Sequence, residues 1–183
     1  MLIGGTVLVA LLGAIALLPK HAPTTELVPL PTHTARAVDT STAFNMTPSP
    51  LQWQGIVEQL DRARGLAFMQ AEPAALLPVY ATNAAAAATD QAMAQALKNA
   101  GAHAQSFPLR VRSVHEEYLT VGERVPRAML TVVDVMGAYD IVDDQGVVLR
   151  HVPARSERRW HVELERSPLW GWVYVSAVSA ASR

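Results

Sequence analysis

Three runs of apolar and β-branched residues near the C-terminus most constrain how this chain can fold. They cover residues 128–142, 147–165 and 170–178, and Pro153 interrupts the second run. Val, Ile, Thr, Tyr and Trp fit the pleated surface of a sheet, so these runs predict β-strands. The sequence Asp-Asp-Gln-Gly at 143–146 predicts a tight turn, because Asp tolerates turn geometry and Gly supplies a positive φ. Hairpin-connected, antiparallel strands follow from this pattern.

Three helical patterns precede these strands. A long helix is predicted to begin at Pro50 and to end near residue 71, because apolar side chains recur between them at helical spacing. A short helix is predicted at 73–80, where Pro is tolerated in the first turn. A third helix is predicted at 90–100, with its first residue or the preceding threonine as N-cap and Gly101 just after its end.

The region between the helices and the C-terminal runs predicts one more strand. Phe107, Leu109 and Val111 alternate with Pro or Arg residues, which is typical of a half-buried strand. His103 is expected in a loop, and Gly137 is expected to mark a bulge or bend within the run at 128–142. Helices followed by hairpin-connected strands favour an α+β fold, with about three helices packed on a curved antiparallel sheet.

The N-terminal end predicts a membrane segment. Residues 2–18 contain no charged residue, and as a helix they would extend for about 25 Å, close to the thickness of a bilayer core. We interpret residues 1–19 as an uncleaved, single-pass anchor in the cell membrane. The alternative is a cleaved signal peptide and a secreted protein, because Ala14 and Ala16 have the spacing of a cleavage site. The positive charges of Lys20 and Arg36 leave the membrane orientation open.

A linker is predicted at residues 20–47. This segment is rich in Pro and Thr, and its charged residues are Lys20, Glu26, Arg36 and Asp39. Pro fixes φ and removes a hydrogen-bond donor, so the segment predicts an extended, semi-rigid spacer. Such a spacer would hold the domain at residues 48–183 away from a membrane, which favours an extracytoplasmic location. An extended arm that lies on the domain is the alternative.

Composition excludes several classes of function. The 15 Lys and Arg residues nearly balance the 16 Asp and Glu residues, which argues against nucleic-acid binding. The chain has no cysteine, which excludes disulfides, thiolate metal sites and a cysteine nucleophile. Its six histidines are dispersed without the spacing of metal ligands, and no phosphate-binding glycine loop is present. We therefore expect neither a metal nor a cofactor.

Asp134 is the main candidate for chemistry. It lies in a predicted strand that is apolar on both faces, where burial would raise the pKa of its carboxyl group and suit it to act as a general base. Tyr139 and Tyr118 are the aromatic residues that could share a ligand pocket with it. The alternative is that Asp134 pairs with an arginine of a neighbouring strand and has a structural role.

A basic segment is the candidate interaction surface. Arg155, Arg158 and Arg159 lie close together in the sequence, and an exposed Trp170 would add an aromatic anchor for a partner. The alternative is an ordinary charged sheet face, balanced by the glutamates at 157, 163 and 165, with Trp170 in the core.

The order of elements resembles that of the nuclear-transport-factor-2-like (NTF2-like) superfamily. The resemblance covers about residues 50–180 and rests on the helical segments 60–68 and 73–80, a long hairpin at 130–150 and a closing strand at 172–177. It implies a cone-shaped α+β fold that occurs in ketosteroid isomerases, in SnoaL-like cyclases and in non-catalytic adaptor domains. Ketosteroid isomerases use a tyrosine with carboxylates around the cone pocket, and neither Tyr139 nor Tyr118 matches their catalytic positions, so the resemblance implies a fold without an activity. With the predicted anchor and the alanine-rich composition, the chain resembles envelope-associated proteins of actinobacteria.

Taken together, the sequence favours a membrane-anchored, extracytoplasmic, non-catalytic domain. Its expected partner is an envelope or membrane protein, or a second copy of the chain bound through the sheet. The alternative is an isomerase- or cyclase-type enzyme, or a ligand-binding protein, that uses the cone pocket with Asp134 as base. The absence of any catalytic constellation makes the enzyme the less favoured of the two.

Overall fold

Helices come first in the structure and strands follow, as the sequence predicts. The computed structural model describes residues 48–120 and 123–180, so the predicted anchor at 1–19 and linker at 20–47 lie outside the described residues. The elements are α1 (Pro50–Met69), a 3₁₀ helix (Pro73–Leu76), α2 (Ala85–Asn99), β1 (Ala102–Ala104), β2 (Leu109–Leu119), β3 (Arg127–Met136), β4 (Tyr139–Asp143), β5 (Val148–Val152), β6 (Arg155–Ser167) and β7 (Gly171–Ser179). None of the described helices is long and apolar enough to span a membrane.

The start of α1 agrees with the sequence prediction. The Ser49 backbone N–H donates to Gln52 Oε1 at 2.6 Å, and the Gln52 backbone N–H donates to Ser49 Oγ at 3.4 Å. This reciprocal capping box satisfies two donors that the first helical turn would otherwise leave free. Pro50 then occupies the first helical position, where the missing N–H costs nothing.

The N-cap predicted for the helix at 90–100 is wrong. Helix α2 begins at Ala85 and has Ala84 as an N-cap without a side-chain hydrogen bond. Alanine has the highest helix propensity, and Ala84 and Ala87 are buried in the core, so packing replaces the cap. Asp90 lies inside the helix and is buried. Gly101 follows the helix with a φ of 59°, as predicted.

The strands form two antiparallel sheets where the sequence predicted one. The larger sheet has the order β2-β3-β6-β7, and the smaller has the order β1-β4-β5. The fold class of the described residues is therefore α+β, with two α-helices and two antiparallel sheets among them.

The run at 128–142 is not one strand, because the chain leaves the larger sheet at Gly137. A Cβ atom at Gly137 would lie 3.1 Å from the Pro108 side chain, and the Gly137 N–H donates to the Pro108 carbonyl at 3.0 Å. Strand β4 after this break pairs with β1 and β5. The predicted long hairpin at 130–150 is thus wrong, and so is the loop position of His103, which lies in β1 opposite Val142.

Two predicted connections are confirmed. Asp143 Oδ1 accepts hydrogen bonds from the backbone N–H groups of Gln145 and Val147, each at 2.9 Å, and Gly146 has a φ of 79°. The interruption at Pro153 separates β5 from β6. Local turn chemistry was sufficient to predict both features.

The larger sheet has an inner face towards the helices and an outer face away from them. In β3 the inner residues are buried, whereas the intervening residues are half-buried. The inner residues belong to one core cluster with residues of both helices, such as Trp53 and Leu97. At the β7 edge, Tyr80 forms a parallel bridge to Tyr174. The Tyr174 N–H donates to the Val79 carbonyl at 2.9 Å, so the segment before α2 extends this sheet locally.

Candidate functional site

A cleft lies between α1 and β2. Its volume is about 490 Å³. One wall comes from α1 and the other from β2 and the residue Phe107 before it. The lining residues are Glu58, Asp61, Arg62, Gly65, Leu66, Met69, Phe107, Leu109, Arg110 and Val111. Apolar walls with a few charged groups are typical of small-molecule sites.

Close approach of the two walls depends on Gly65. A Cβ atom at this position would lie 2.8 Å from Phe107 Cδ1, which is shorter than real Cβ contacts. Only glycine therefore lets Phe107 pack against the helix at this point. The Phe107 ring, which lines the cleft, also lies 5.4 Å from the ring of the buried Phe68 between centroids.

Asp61 is the unusual group in the cleft. It is half-buried on α1, and the Tyr174 hydroxyl donates to its Oδ1 atom at 3.2 Å. Burial raises the pKa of the Asp61 carboxyl group to about 6, against the opposing effect of Arg64, and the negative charges of Asp134 and Asp90 add to the rise.

Behind Asp61 lies a polar network that joins α1, α2 and the segment before α2. Arg64 of α1 contacts Asp90 of α2 with two nitrogens: Nε pairs with Oδ2, and Nη2 lies 3.1 Å from Oδ1. The Tyr80 hydroxyl also donates to Asp90 Oδ2. Burial alone would lower the pKa of the Arg64 guanidinium, but the Asp90 carboxylate reverses this and holds that pKa well above its usual value.

The two tyrosines of this network stay neutral. Burial raises the pKa of Tyr80 and the pKa of Tyr174 well above the ordinary value, and the nearby carboxylates raise them further. Both hydroxyls therefore remain donors to carboxylates at physiological pH. The group in this arrangement that is suited to chemistry is Asp61, because its carboxyl group has a pKa of about 6 and lies beside an apolar wall. It could bind a cationic group or accept a proton.

The three residues predicted for a ligand pocket do not line this cleft. Asp134 is 7% exposed, and Arg155 Nη2 of the neighbouring strand lies 2.8 Å from its Oδ1 atom, an ion pair without hydrogen-bond geometry. Tyr139 packs its ring 6.2 Å from the Phe107 centroid, and burial raises its pKa. Tyr118 is 47% exposed. Asp134 thus has the arginine partner that the structural alternative expected.

Sequence reasoning missed Asp61, although one signal pointed to it. Asp61 lies four residues after Val57 and four before Gly65, and both of these neighbours on the helix face are buried. An acidic residue at that spacing must lie beside the apolar stripe of the helix. Nothing in the sequence indicates that β2 leaves a cleft at this stripe.

The predicted interaction residues are dispersed. Arg155 and Arg158 lie over the Trp160 ring, with their guanidinium carbons 5.9 and 5.4 Å from its centroid. Arg159 is exposed on the outer face opposite Val133. Trp170 lies beyond the far end of β6 and is 55% exposed. These residues do not form a single surface.

The outer face of the larger sheet carries its own contacts. Thr131 donates a hydrogen bond to Glu117, and His161 Nδ1 lies 3.0 Å from Glu117 Oε1. Arg127 bridges two residues of β6, at 2.9 Å to Glu163 and 3.3 Å to Glu165. The apolar or uncharged centre of this face consists of Met129, Thr131, Val133 and Val135.

Comparisons with known proteins add a fold relationship. No protein-family model matches the sequence, and no curated protein is similar to it. Among solved structures, the intermembrane-space region of the chloroplast protein ARC6 is similar, with a TM-score of 0.51 and 14% sequence identity. The match covers 75% of this chain and 100% of that chain. At this identity the similarity concerns the fold alone.

Among residues 48–120 and 123–180, no group of three His, Asp or Glu residues could hold a metal ion.

Proposed function

We propose that this protein is a membrane-anchored, extracytoplasmic, non-catalytic interaction domain with an NTF2-like cone. Residues 2–18 would anchor it, residues 20–47 would space it from the membrane, and the outer face of the larger sheet would bind an envelope or membrane protein. The observation that carries the proposal is the contrast between the two faces of β3. Its inner residues are buried under the helices, whereas the outer residues stay half exposed.

The composition of the outer face suits a protein partner. Its centre is uncharged, and the exposed side chains of Tyr118 and Val178 flank it, at 47% and 53% exposure. Protein interfaces combine an apolar centre that carries few charges with a polar rim. On the outer face the uncharged row of β3 runs between charged residues of the neighbouring strands, with Glu163 opposite Met129 and Arg159 opposite Val133.

Charge at the two ends of this face defines the chemistry of the partner. At the β3 end near Val135, Arg110 lies opposite Val135 and Arg159 lies opposite Val133, and Arg112 and Glu157 are exposed beside them on β2 and β6. At the other end, three glutamates outnumber one arginine, and the residues are Glu117, Glu163, Glu165 and Arg127. A partner with an acidic patch opposite the first end and a basic patch opposite the second would be favoured and oriented.

A second copy of the chain fits this charge pattern less well. Two copies anchored in one membrane would meet side by side with their strands parallel, which places arginines on arginines and glutamates on glutamates. Like charges placed together across an interface disfavour binding. Antiparallel packing would match the charges but would turn the start of one domain away from the membrane. We therefore favour a different protein as the partner.

A non-catalytic role agrees with the surroundings of the candidate base. Asp134 is paired with Arg155 and does not line the cleft with Tyr139 or Tyr118. The Asp134 carboxylate is therefore taken up by a structural ion pair and does not face a cavity in which it could reach a substrate.

Photo-crosslinking tests the binding surface. A photoreactive amino acid replaces Val133 on the outer face of the full-length protein in cells, and Val148 on β5 serves as the control position. We expect one crosslinked partner from position 133 and none from position 148. Reversal of charge with Glu163→Lys and Glu165→Lys should abolish that product, whereas Glu72→Lys should not. A product with twice the mass of the chain would mean self-association, and equal products from both positions would rule out the outer face.

Anchoring is tested separately. The full-length protein should stay with the membrane fraction after alkaline extraction, and protease added outside intact cells should digest the domain. Recovery of a shortened chain in the medium would support secretion, and protection from protease would contradict the extracytoplasmic location.

A second candidate function is small-molecule binding in the cleft, which the position of Asp61 favours. The test screens small apolar amines and carbonyl compounds against the full-length protein and follows the methyl signals of Leu66 and Met69 by NMR. A ligand of the cleft should shift both signals. Asp61→Asn should weaken its binding at least about tenfold, which corresponds to about 1.4 kcal/mol. Glu58→Gln is the matched control, and an equal loss with that variant would assign the effect to general charge.

A further inference from the structure

The first described residues lie at one end of the fold, which we call a pole. Helix α1 starts there, and Leu51 in its first turn is 82% exposed. Two residues later, Trp53 is buried and packs edge-to-face on Trp172, with the ring centroids 5.0 Å apart. The start of α1 is therefore fixed beside the start of β7.

The turn between β6 and β7 lies at the same pole. Trp172 pairs with Arg166 across this hairpin, and the turn between them carries Leu169 and Trp170. Leu169 is 80% exposed and Trp170 is 55% exposed. A leucine and a tryptophan at a hairpin tip contribute nothing to the core, so their exposure needs a separate explanation.

The loop before β3 completes the pole. The Arg166 N–H donates to the Pro126 carbonyl at 2.9 Å, which places this loop against the β6 end of the hairpin. Val125 in the loop is 39% exposed. Three separate segments thus expose large apolar side chains at the pole where the chain arrives from its N-terminal region. We call these residues the apolar pole: Leu51, Val125, Leu169 and Trp170.

We propose that the apolar pole inserts into the interfacial layer of the membrane, so that the domain sits on the lipid surface in one orientation. This inference rests on the proposed function, because it takes residues 2–18 to be the anchor. Tryptophan and leucine are the side chains that favour the boundary between head groups and acyl chains. Glu123 and Glu165 balance the neighbouring Arg124 and Arg166 beside the pole, so the contact would depend on its apolar side chains and not on anionic head groups.

Because the linker would tether the domain to the predicted anchor, a weak contact with lipid would be sufficient to orient the domain. Residues 20–47 join the pole to the apolar segment, so insertion is an intramolecular step at high effective concentration. A protein that binds the lipid surface without an anchor needs a larger apolar area or a second membrane signal. Four exposed side chains would orient this domain even though they would not recruit it alone.

The opposite end of the fold offers a matched control. Val148 on β5 is 55% exposed, as Trp170 is. Helix α1 runs for 20 residues, about 30 Å, from the pole to the opposite end, where Glu72 pairs with Lys98 near the end of α2. A Cβ atom at Gly101, just after α2, would lie 3.7 Å from Asp144 in the turn before β5. An apolar side chain at position 148 has the same exposure but would stay in water if the pole faces the membrane.

Spin labels can test this orientation, since the chain has no cysteine. Leu169→Cys and Val148→Cys each receive one nitroxide in the full-length protein, reconstituted into vesicles of phosphatidylcholine and phosphatidylglycerol. Relaxation by oxygen and by a water-soluble nickel complex then reports the depth of each label. We expect contact of the label at 169 with the nickel complex to be at least about threefold lower than at 148. Trp170→Ser added to the labelled Leu169→Cys protein should reduce that difference.

The outcomes separate this inference from the anchor. If the full-length protein floats with the vesicles and both labels are equally accessible to the nickel complex, the apolar pole does not insert and the inference is wrong. If the protein does not float, the proposed anchor itself fails. Low accessibility at both positions would mean that the domain has no preferred orientation, which also contradicts the inference.

Discussion

Arg64 and Asp90 form a two-contact ion pair that joins α1 to α2 beneath the cleft. Asp90 is 4% exposed, and the Arg64 side chain is 25% exposed. The Tyr80 hydroxyl donates to the same carboxylate. This pair therefore fixes the position of the helix that carries Asp61. Its partners lie 26 residues apart in the sequence.

Removal of the Asp90 carboxylate should destabilise the protein strongly. Asp90→Ala leaves a largely buried guanidinium and a buried hydroxyl without their acceptor, so the free energy of unfolding should fall by about 2–4 kcal/mol. Urea unfolding of the full-length protein measures this. Glu72→Gln is the control, because it removes the exposed partner of Lys98 and should leave the midpoint almost unchanged. Similar losses from both variants would mean that the buried pair has no special role.

Neutralisation of Asp61 should stabilise the protein above pH 6. Its pKa is about 6 in the folded state against an ordinary value of 3.8, so the folded state binds the proton more tightly. The corresponding stability is fully present below about pH 3.8 and is lost as the pH rises through about 6. Asp61→Asn keeps an acceptor for Tyr174 and should raise the free energy of unfolding by about 1–2 kcal/mol at pH 7.5, a value reduced for partial exposure.

The same variant should have little advantage at pH 4, where the carboxyl group of the folded protein is already protonated. Thermal unfolding at several pH values measures the difference between the two proteins. A stability gain that does not vary with pH would assign the effect to something other than this carboxyl group.

Two glycines of α1 should respond to alanine in opposite directions. Gly65→Ala introduces a Cβ atom 2.8 Å from Phe107 and should cost about 1–3 kcal/mol of stability through overpacking. At Gly55 no atom lies within 4 Å of the added Cβ, so Gly55→Ala should stabilise by about 0.5–1 kcal/mol through helix propensity. Chemical denaturation of both variants gives the comparison. Equal effects would contradict the close packing at Phe107.

Loss of one partner of the Asp134–Arg155 ion pair should reduce stability more than replacement of both partners. Arg155→Ala leaves a buried carboxylate uncompensated and should destabilise by about 2–3 kcal/mol. The double variant Asp134→Leu with Arg155→Met should recover most of the loss, because an apolar pair replaces two charges. Arg159→Ala on the outer face should change the stability by less than about 0.5 kcal/mol. Failure of the double variant to recover stability would show that Asp134 has another partner.

Much of the fold could be predicted from local sequence signals. The capped start of α1, the turn at 143–146, the break at Pro153 and the final strand all depend on residues within a few positions of each other. The break at Gly137 could be predicted only as a bulge. Its real consequence, a second sheet, depends on contact with Pro108, which lies 29 positions earlier in the chain.

The candidate site could be predicted less well than the fold. Asp134 was singled out because it interrupts an apolar strand, and the structure pairs it with Arg155, one of two interpretations that the sequence left open. The spacing of Asp61 from Val57 and Gly65 indicates only that it lies beside the apolar stripe of α1. Its raised pKa depends on burial and on the charges of Asp134 and Asp90, which come from two other elements.

The sequence by itself determined the class of the fold and most of its elements, because caps, turns and alternation of apolar residues act over a few residues. The separation into two sheets, the cleft at Asp61 and the apolar pole were decided only by tertiary structure. Each of these features brings together side chains that are far apart in the chain, such as Trp53 and Trp172. Burial and charge at such a place are sums over all neighbours in space, and no short stretch of sequence contains that sum.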